Sequence, residues 1–263
     1  MWRVFAVIVM FIIASSSPAA AQFNQQKRRA NRYQQTLSYT QVPITKSKSL
    51  KKAVIAPVIL ATCGLISTTK NDLLNKYEIQ EELREWAPNF RHHADDYLQY
   101  APIIAVYGLN VMGVKGKNNF RNRTALLVKS ELLTMITTCF LKRVTAIPRP
   151  DSGAPTSFPS GHTSQAFAAA TFMAKEYGHK SIGYSIGAYS VATTVGVMRV
   201  LNNRHWISDV LVGASIGILS TNLVYLTHRF KEDKKKNAGQ TLIIPSYSGD
   251  SMMLCMFHRF GRT

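Results

Sequence analysis

Between Ala53 and Thr227 the chain alternates long apolar segments with short charged loops, and this segregation limits the fold more than any other feature. A helix needs about 20 mostly apolar residues to cross a bilayer. Ala53–Ser67, Tyr97–Val114, Thr124–Leu141, Ile182–Met198 and Ile207–Thr227 reach or approach that length. The first is short and interrupted by Pro57, and the third carries Lys129 and Glu131, which are expected to pair in the bundle or reach for its rim. Thr163–Tyr177 reads as a helix of small residues closed by Gly178. Two segments carry a Gly-x-x-x-Gly pair, Gly183 with Gly187 and Gly213 with Gly217, the spacing that lets helix backbones approach closely in lipid. The expected fold class is all-α, a multi-pass membrane helical bundle.

Composition supports this reading. Charged residues are only 17% of the chain, against roughly 25% in soluble domains. The net charge of +18 would suit a nucleic-acid binder or a membrane protein with basic cytoplasmic loops, and the apolar blocks favour the second, so no nucleic-acid partner is expected. Cys63, Cys139 and Cys255 are odd in number and far apart, which reads as buried thiols, not a disulfide framework or metal site.

Outside the bundle, residues 1–21 have the basic start, apolar core and Ala-Ala-Ala ending of an export signal, with an uncleaved anchor as the alternative. Residues 22–52 hold eight basic residues and no acid, the composition of a disordered, solvated arm. A helical domain is expected over 53–229. Residues 230–263 would be a basic stop and a tail whose apolar runs flank Ser246–Asp250 like a hairpin. Residues 69–96 read as a loop with one amphipathic helix. His92-His93 beside Asp95-Asp96 reads there as an interfacial polar cluster, not a metal site, because adjacent helical residues point different ways. Lysine and arginine after Val114, around Lys175 and Lys180, and after Arg229 would lie inside. Residues 142–162 and 199–206 then face outward.

Those outward loops hold the chemistry. His205 and Asp209 are spaced for one helix face, where the carboxylate fixes the imidazole tautomer and presents the other ring nitrogen as a nucleophile. Ser160-Gly161-His162 opens a helix, where free N–H groups and the dipole attract anions. His162 is placed to protonate a leaving oxygen. Lys142, Arg149 and Arg199 stand at or just beyond apolar helix ends, poorly solvated unless paired, and a phosphate would pair all three. Each cluster alone is better explained as a helix pair, an N-cap or snorkelling. Their co-occurrence on one side of the bundle points to a phosphate site.

The pattern Lys142-RVTAIP-Arg149-Pro150, Pro159-Ser160-Gly161-His162 and Arg199-VLNNR-His205-WIS-Asp209 resembles the signature of the type 2 phosphatidic acid phosphatase superfamily, which also includes bacterial acid phosphatases and vanadium haloperoxidases. Met198 stands where the family has a serine, which removes one possible phosphate hydrogen bond. The resemblance implies a helical bundle and a phosphatase that needs neither metal nor cofactor. His205 would attack phosphorus and form a phosphohistidine, with Asp209 orienting it and His162 serving the leaving group and then water. Lys142, Arg149, Ser160, Gly161 and Arg199 would hold the phosphate oxygens. The implied partner is a phosphorylated membrane lipid: undecaprenyl pyrophosphate, lipid A phosphate, phosphatidylglycerol phosphate or phosphatidate. The implied place is the periplasmic face of a bacterial inner membrane. The alternatives are a soluble periplasmic acid phosphatase and a basic membrane protein without catalysis; a haloperoxidase would be larger.

Overall fold

A computed structural model describes residues 46–69, 75–228, 240–248 and 251–259. The expected signal at 1–21, the basic arm as far as residue 45 and the basic stop after Arg229 lie outside the described residues. Up to His228 the described chain is helical: α1 Lys46–Ile66, α2 Lys76–Trp86, α3 Ala94–Leu98, α4 Ala101–Val111, α5 Phe120–Thr145, α6 Gly161–Tyr177, α7 Ile182–Leu201 and α8 Ile207–Thr227. Polar side chains start several of them. Asn75, Asn119, Ser160 and Ser181 each accept a hydrogen bond from the first turn of α2, α5, α6 and α7, which satisfies an otherwise orphaned N–H.

The centre is α6. Its Ala166, Ala168, Ala169 and Ala170 are fully buried, and small side chains on every face let α4, α5, α7 and α8 close around it. Phe167, Phe172, Leu211 and Ile218 fill the space between α6 and its neighbours. α8 packs on α1, α5 and α6 and is buried along most of its length.

Helix α5 is inside-out by the standard of a water-soluble protein. Val128, Leu132, Met135, Ile136 and Phe140, at helical spacing, are all at least half exposed. Ser130, Thr134 and Thr138, four apart, are buried against the bundle. Small polar residues within and large apolar ones without is the pattern of a helix solvated by lipid. Among the described residues, α5 and α8 are long and apolar enough to cross a membrane, so the fold is an all-α membrane bundle. Lys129 and Glu131 do not pair with each other: the Lys129 ammonium meets the His228 ring at 3.3 Å, and the Glu131 carboxyl lies beside the Gln165 side chain.

Two expectations need correction. The segment 97–114 is not one span: α3 ends at Leu98 and α4 begins at Ala101, with Pro102 in its first turn, where a missing N–H costs nothing. The thiols are not buried: Cys139 is exposed on the lipid side of α5 and Cys63 is half-buried, both free, while the Cys255 side chain lies outside the described set. Residues 229–263 form a separate unit, in which β1 Gln240–Ser248 and β2 Ser251–Arg259 pair antiparallel with Ser248 opposite Ser251.

The two glycine pairs have different fates. A Cβ on Gly217 would collide with the Ser164 carbonyl and stand 2.7 Å from the Ala168 nitrogen, and one on Gly213 would stand 2.7 Å from the Ser160 carbonyl. α8 therefore touches α6 backbone to backbone. Gly187 has nothing within 4 Å and Gly183 meets only Ser181 of its own helix start, so that pair does no packing. Gly217→Ala is expected to lower the unfolding temperature in detergent by several degrees. Gly187→Ala, relieved of about 0.5–1 kcal/mol of glycine entropy, should hold or raise it. Equal behaviour of the two variants in a thermal-shift assay would refute the close contact.

Candidate active site

Helix α5 ends at Ala146, whose left-handed backbone (φ 46°) turns the chain sharply into the loop that carries Arg149. That loop stitches the three motifs together. Lys142 Nζ donates to the carbonyls of Thr156 (2.6 Å) and Ser157 (3.3 Å), and Arg149 Nε donates to the Thr156 hydroxyl (3.2 Å). Ser157 donates a short hydrogen bond to the Asp209 carboxylate, and the Ser160 N–H donates to the Asp209 carbonyl at 3.0 Å. Trp206 Nε1 reaches back to the Pro148 carbonyl at 3.0 Å. Segments far apart in sequence thus share one end of the bundle.

Asp209 is fully buried in the first turn of α8 and accepts from Ser157, from the Trp206 N–H (3.1 Å) and from the Ser208 hydroxyl (3.1 Å). His205 is 1% exposed, with Nδ1 3.5 Å from Asp209 Oδ2. That is longer than a hydrogen bond, and Nδ1 has no other partner. Contacts of this kind are commonly long until substrate is bound. Burial pushes the His205 imidazole down to about 4 against the pull of Asp209, and the charges of Arg199 and Lys142 add to the depression. The ring is neutral at pH 7, the state in which a nitrogen lone pair is free.

Ser160 caps α6, its hydroxyl 2.9 Å from that of Thr163. Gly161 has no packing reason to be glycine: a Cβ there would meet only Thr138 Cγ2, at 3.9 Å. Arg199, near the end of α7, is buried, and its Nε has no hydrogen-bond partner. A buried donor without an acceptor costs roughly 1–3 kcal/mol, so the site is incomplete as the protein alone.

Two residues outside the three motifs belong to this cluster. Asp95 in α3, 1% exposed, takes the Arg199 guanidinium at 2.6 Å, and Asp96 takes His162 Nε2 at 2.8 Å. His93 stands 3.5 Å from Asp96. The Asp95, Asp96 and His162 ligand atoms lie within 4.8 Å of one another, close enough for a metal, but the guanidinium already serves as the cation. Burial works to raise the Asp96 carboxyl, and the bond to His162 with the charges of His162, Arg199 and His93 outweighs it and holds the group low. Burial, with Arg199 second, lowers His162, and Asp96 opposes both. The only sequence signal for this pair was two adjacent acids beside two histidines in a strongly basic chain.

A cavity of about 750 Å³ opens here. Of the eight predicted residues, His162 and Arg199 line it, and Lys142, Arg149, Ser160, Gly161, His205 and Asp209 do not. Arg149, Gly161 and His205 are chain neighbours of the lining residues Pro150, His162 and Arg204, and the charge of Arg199 acts on Lys142, Arg149 and His205. Asp95→Asn should destabilise the protein, by up to about 3 kcal/mol, because it leaves the buried Arg199 charge with only the half-exposed Asp96 carboxylate at 3.8 Å. Unfolding in detergent measures this, and an unchanged midpoint would mean the pair is not formed.

Residues 123–233 match the model of the PAP2 superfamily. The chain is 36% identical, over 157 residues, to the lipid A 1-phosphatase of Porphyromonas gingivalis, covering 57% of this chain and 35% of that protein. It therefore spans about a third of the length of the curated relative. Among solved structures, Aquifex aeolicus LpxE aligns with 55% of this chain and 93% of its own at 21% identity and a TM-score of 0.43. A transmembrane PAP2-type phosphatidylglycerolphosphate phosphatase from Bacillus subtilis aligns with 88% and 100% at 21% identity and a TM-score of 0.39. The stretch that matches the PAP2 superfamily contains all three motifs and the bundle's central helices.

Proposed function

We propose that the protein is a phosphatase of membrane lipids, working through a phosphohistidine without a metal ion. The observation that carries this is the buried Arg199, its Nε without an acceptor, in one charge cluster with Lys142 and the neutral His205. A phosphate would supply that acceptor. In the first step the His205 Nε2 lone pair attacks phosphorus, the bond to the lipid oxygen breaks, and His162 gives its proton to that oxygen. In the second, water loses a proton to His162 and attacks phosphorus, so that orthophosphate leaves and His205 is restored. Lys142, Arg149 and Arg199 with the N–H groups at the start of α6 stabilise the charge that spreads over the phosphoryl oxygens. Because Asp96 holds Nε2 of His162, Nδ1 is the nitrogen left to serve the leaving oxygen.

A lipid substrate is supported by the exposed apolar stripe of α5, which also argues against a soluble enzyme. The name of the Porphyromonas gingivalis relative favours a lipid A phosphate within the class, alongside undecaprenyl pyrophosphate, phosphatidylglycerol phosphate and phosphatidate. The loop charges support a site on the periplasmic face of an inner membrane. Detergent-purified protein should release phosphate from a phospholipid monoester with EDTA present. Vanadate should inhibit it, and His205→Ala should lower kcat by at least about 10³-fold, the scale set by loss of a nucleophile. Turnover that needs a divalent metal, or that survives the substitution, would sink the mechanism.

The pH profile has a definite sign. His205 must be neutral and His162 protonated in the first step. Activity should therefore hold as pH falls, until it approaches 4, and decline as pH rises through the lowered value of His162. Asp96→Asn removes a charge that raises His162, so the alkaline limb of kcat/KM should move to lower pH. A limb that stays put or moves upward would show that Asp96 does not act on His162.

A further inference from the structure

The cavity beside His162 and Arg199 is far larger than a phosphate, and three further arginines stand in its wall. Its volume of about 750 Å³ lies within the roughly 300–1,000 Å³ that houses a whole small-molecule ligand. Arg84, in the last turn of α2, and Arg91, in the loop after it, line this space together with Arg204. Both carboxylates in the wall are engaged, Asp96 with His162 at 2.8 Å and Asp151 with Arg204 at 3.0 Å. No ion pair joins Arg84 or Arg91 to a carboxylate among the described residues, and both side chains are exposed. Arg84 stands between this space and an adjoining hollow, which it lines with Glu81 and Glu85, and neither glutamate lines the cavity itself.

The wall that carries the two arginines is fixed to the end of α7, one turn beyond Arg199. Asn202 accepts from the His92 N–H at 3.0 Å and donates to the His92 carbonyl at 2.7 Å. Gln80 donates to the Val200 carbonyl (3.2 Å) and the Asn203 side chain (2.7 Å). Arg84 and Arg91 are therefore held at a set place relative to Arg199, and both precede the stretch matched by the family.

We propose that Arg84 and Arg91 form a second anion subsite, which grips a negative group of the substrate's own polar head other than the phosphate that is removed. The preferred substrate is then a lipid whose head carries at least two anionic groups, such as a bis-phosphorylated lipid. This rests on the lipid phosphatase reading of the adjoining site. The test uses full-length protein in neutral detergent with three substrates: bis-phosphorylated lipid A, phosphatidate, and phosphatidate doped with phosphatidylglycerol. In the double variant Arg84→Gln/Arg91→Gln, KM for the bis-phosphorylated lipid should rise about tenfold or more, the scale of lost ionic hydrogen bonds. Its kcat, and KM for pure phosphatidate, should stay within about twofold. An equal change for both lipids, or none for either, overturns the subsite. A matching KM rise with doped phosphatidate also overturns it, because the arginines would then be reading neighbouring lipids. Phosphate release from neither lipid by the parent protein defeats the underlying reading as well, and so stands apart from failure of the subsite alone.

Discussion

The backbone contact between α6 and α8 governs the rest of the structure. Gly213 and Gly217 let α8 lie against the carbonyls of Ser160 and Ser164, and that contact brings the start of α6 beside the start of α8. The Ser160 N–H can then reach the Asp209 carbonyl, and Ser157 its carboxylate. Any side chain at Gly217 would part the helices and separate Ser160-Gly161-His162 from His205 and Asp209. In lipid, where apolar burial gives helices little reason to associate, such close packing is what holds them together.

Onto this frame the protein loads cations that its surroundings solvate poorly. Lys142 is held by main-chain carbonyls, Arg149 by a hydroxyl, and Arg199 by the Asp95 carboxylate. These ties fix the groups in place and still leave Arg199 Nε unanswered. Burial, with this positive charge added to it, keeps His205 neutral, so one arrangement attracts an anion and frees a lone pair beside it.

The sequence was most legible where partners are near in the chain. The spacing of His205 and Asp209, the capping serine before a small-residue helix, and apolar runs long enough for lipid are all local patterns, and the helices formed where those patterns stood. Asp95 and Asp96 were read as an interfacial cluster because their partners Arg199 and His162 are more than sixty residues away, and no local period signals such a pairing. The break between Leu98 and Ala101 was hidden by unbroken apolarity, although Pro102 marked it. Gly183 and Gly187 show the opposite failure. Their spacing is that of a packing motif, yet whether a glycine meets a backbone depends on which way its helix faces.

The ion pair between Arg199 and Asp95 has a consequence for how the pocket is occupied. The guanidinium is stripped of most of its water when the chain folds, with Asp95 standing in for the lost solvent. An arriving oxyanion therefore need not dehydrate the arginine and meets donors already aimed, so its own hydration is the main barrier to entry. The fold thus holds a desolvated positive charge, balanced by Asp95, in the wall of the cavity at all times.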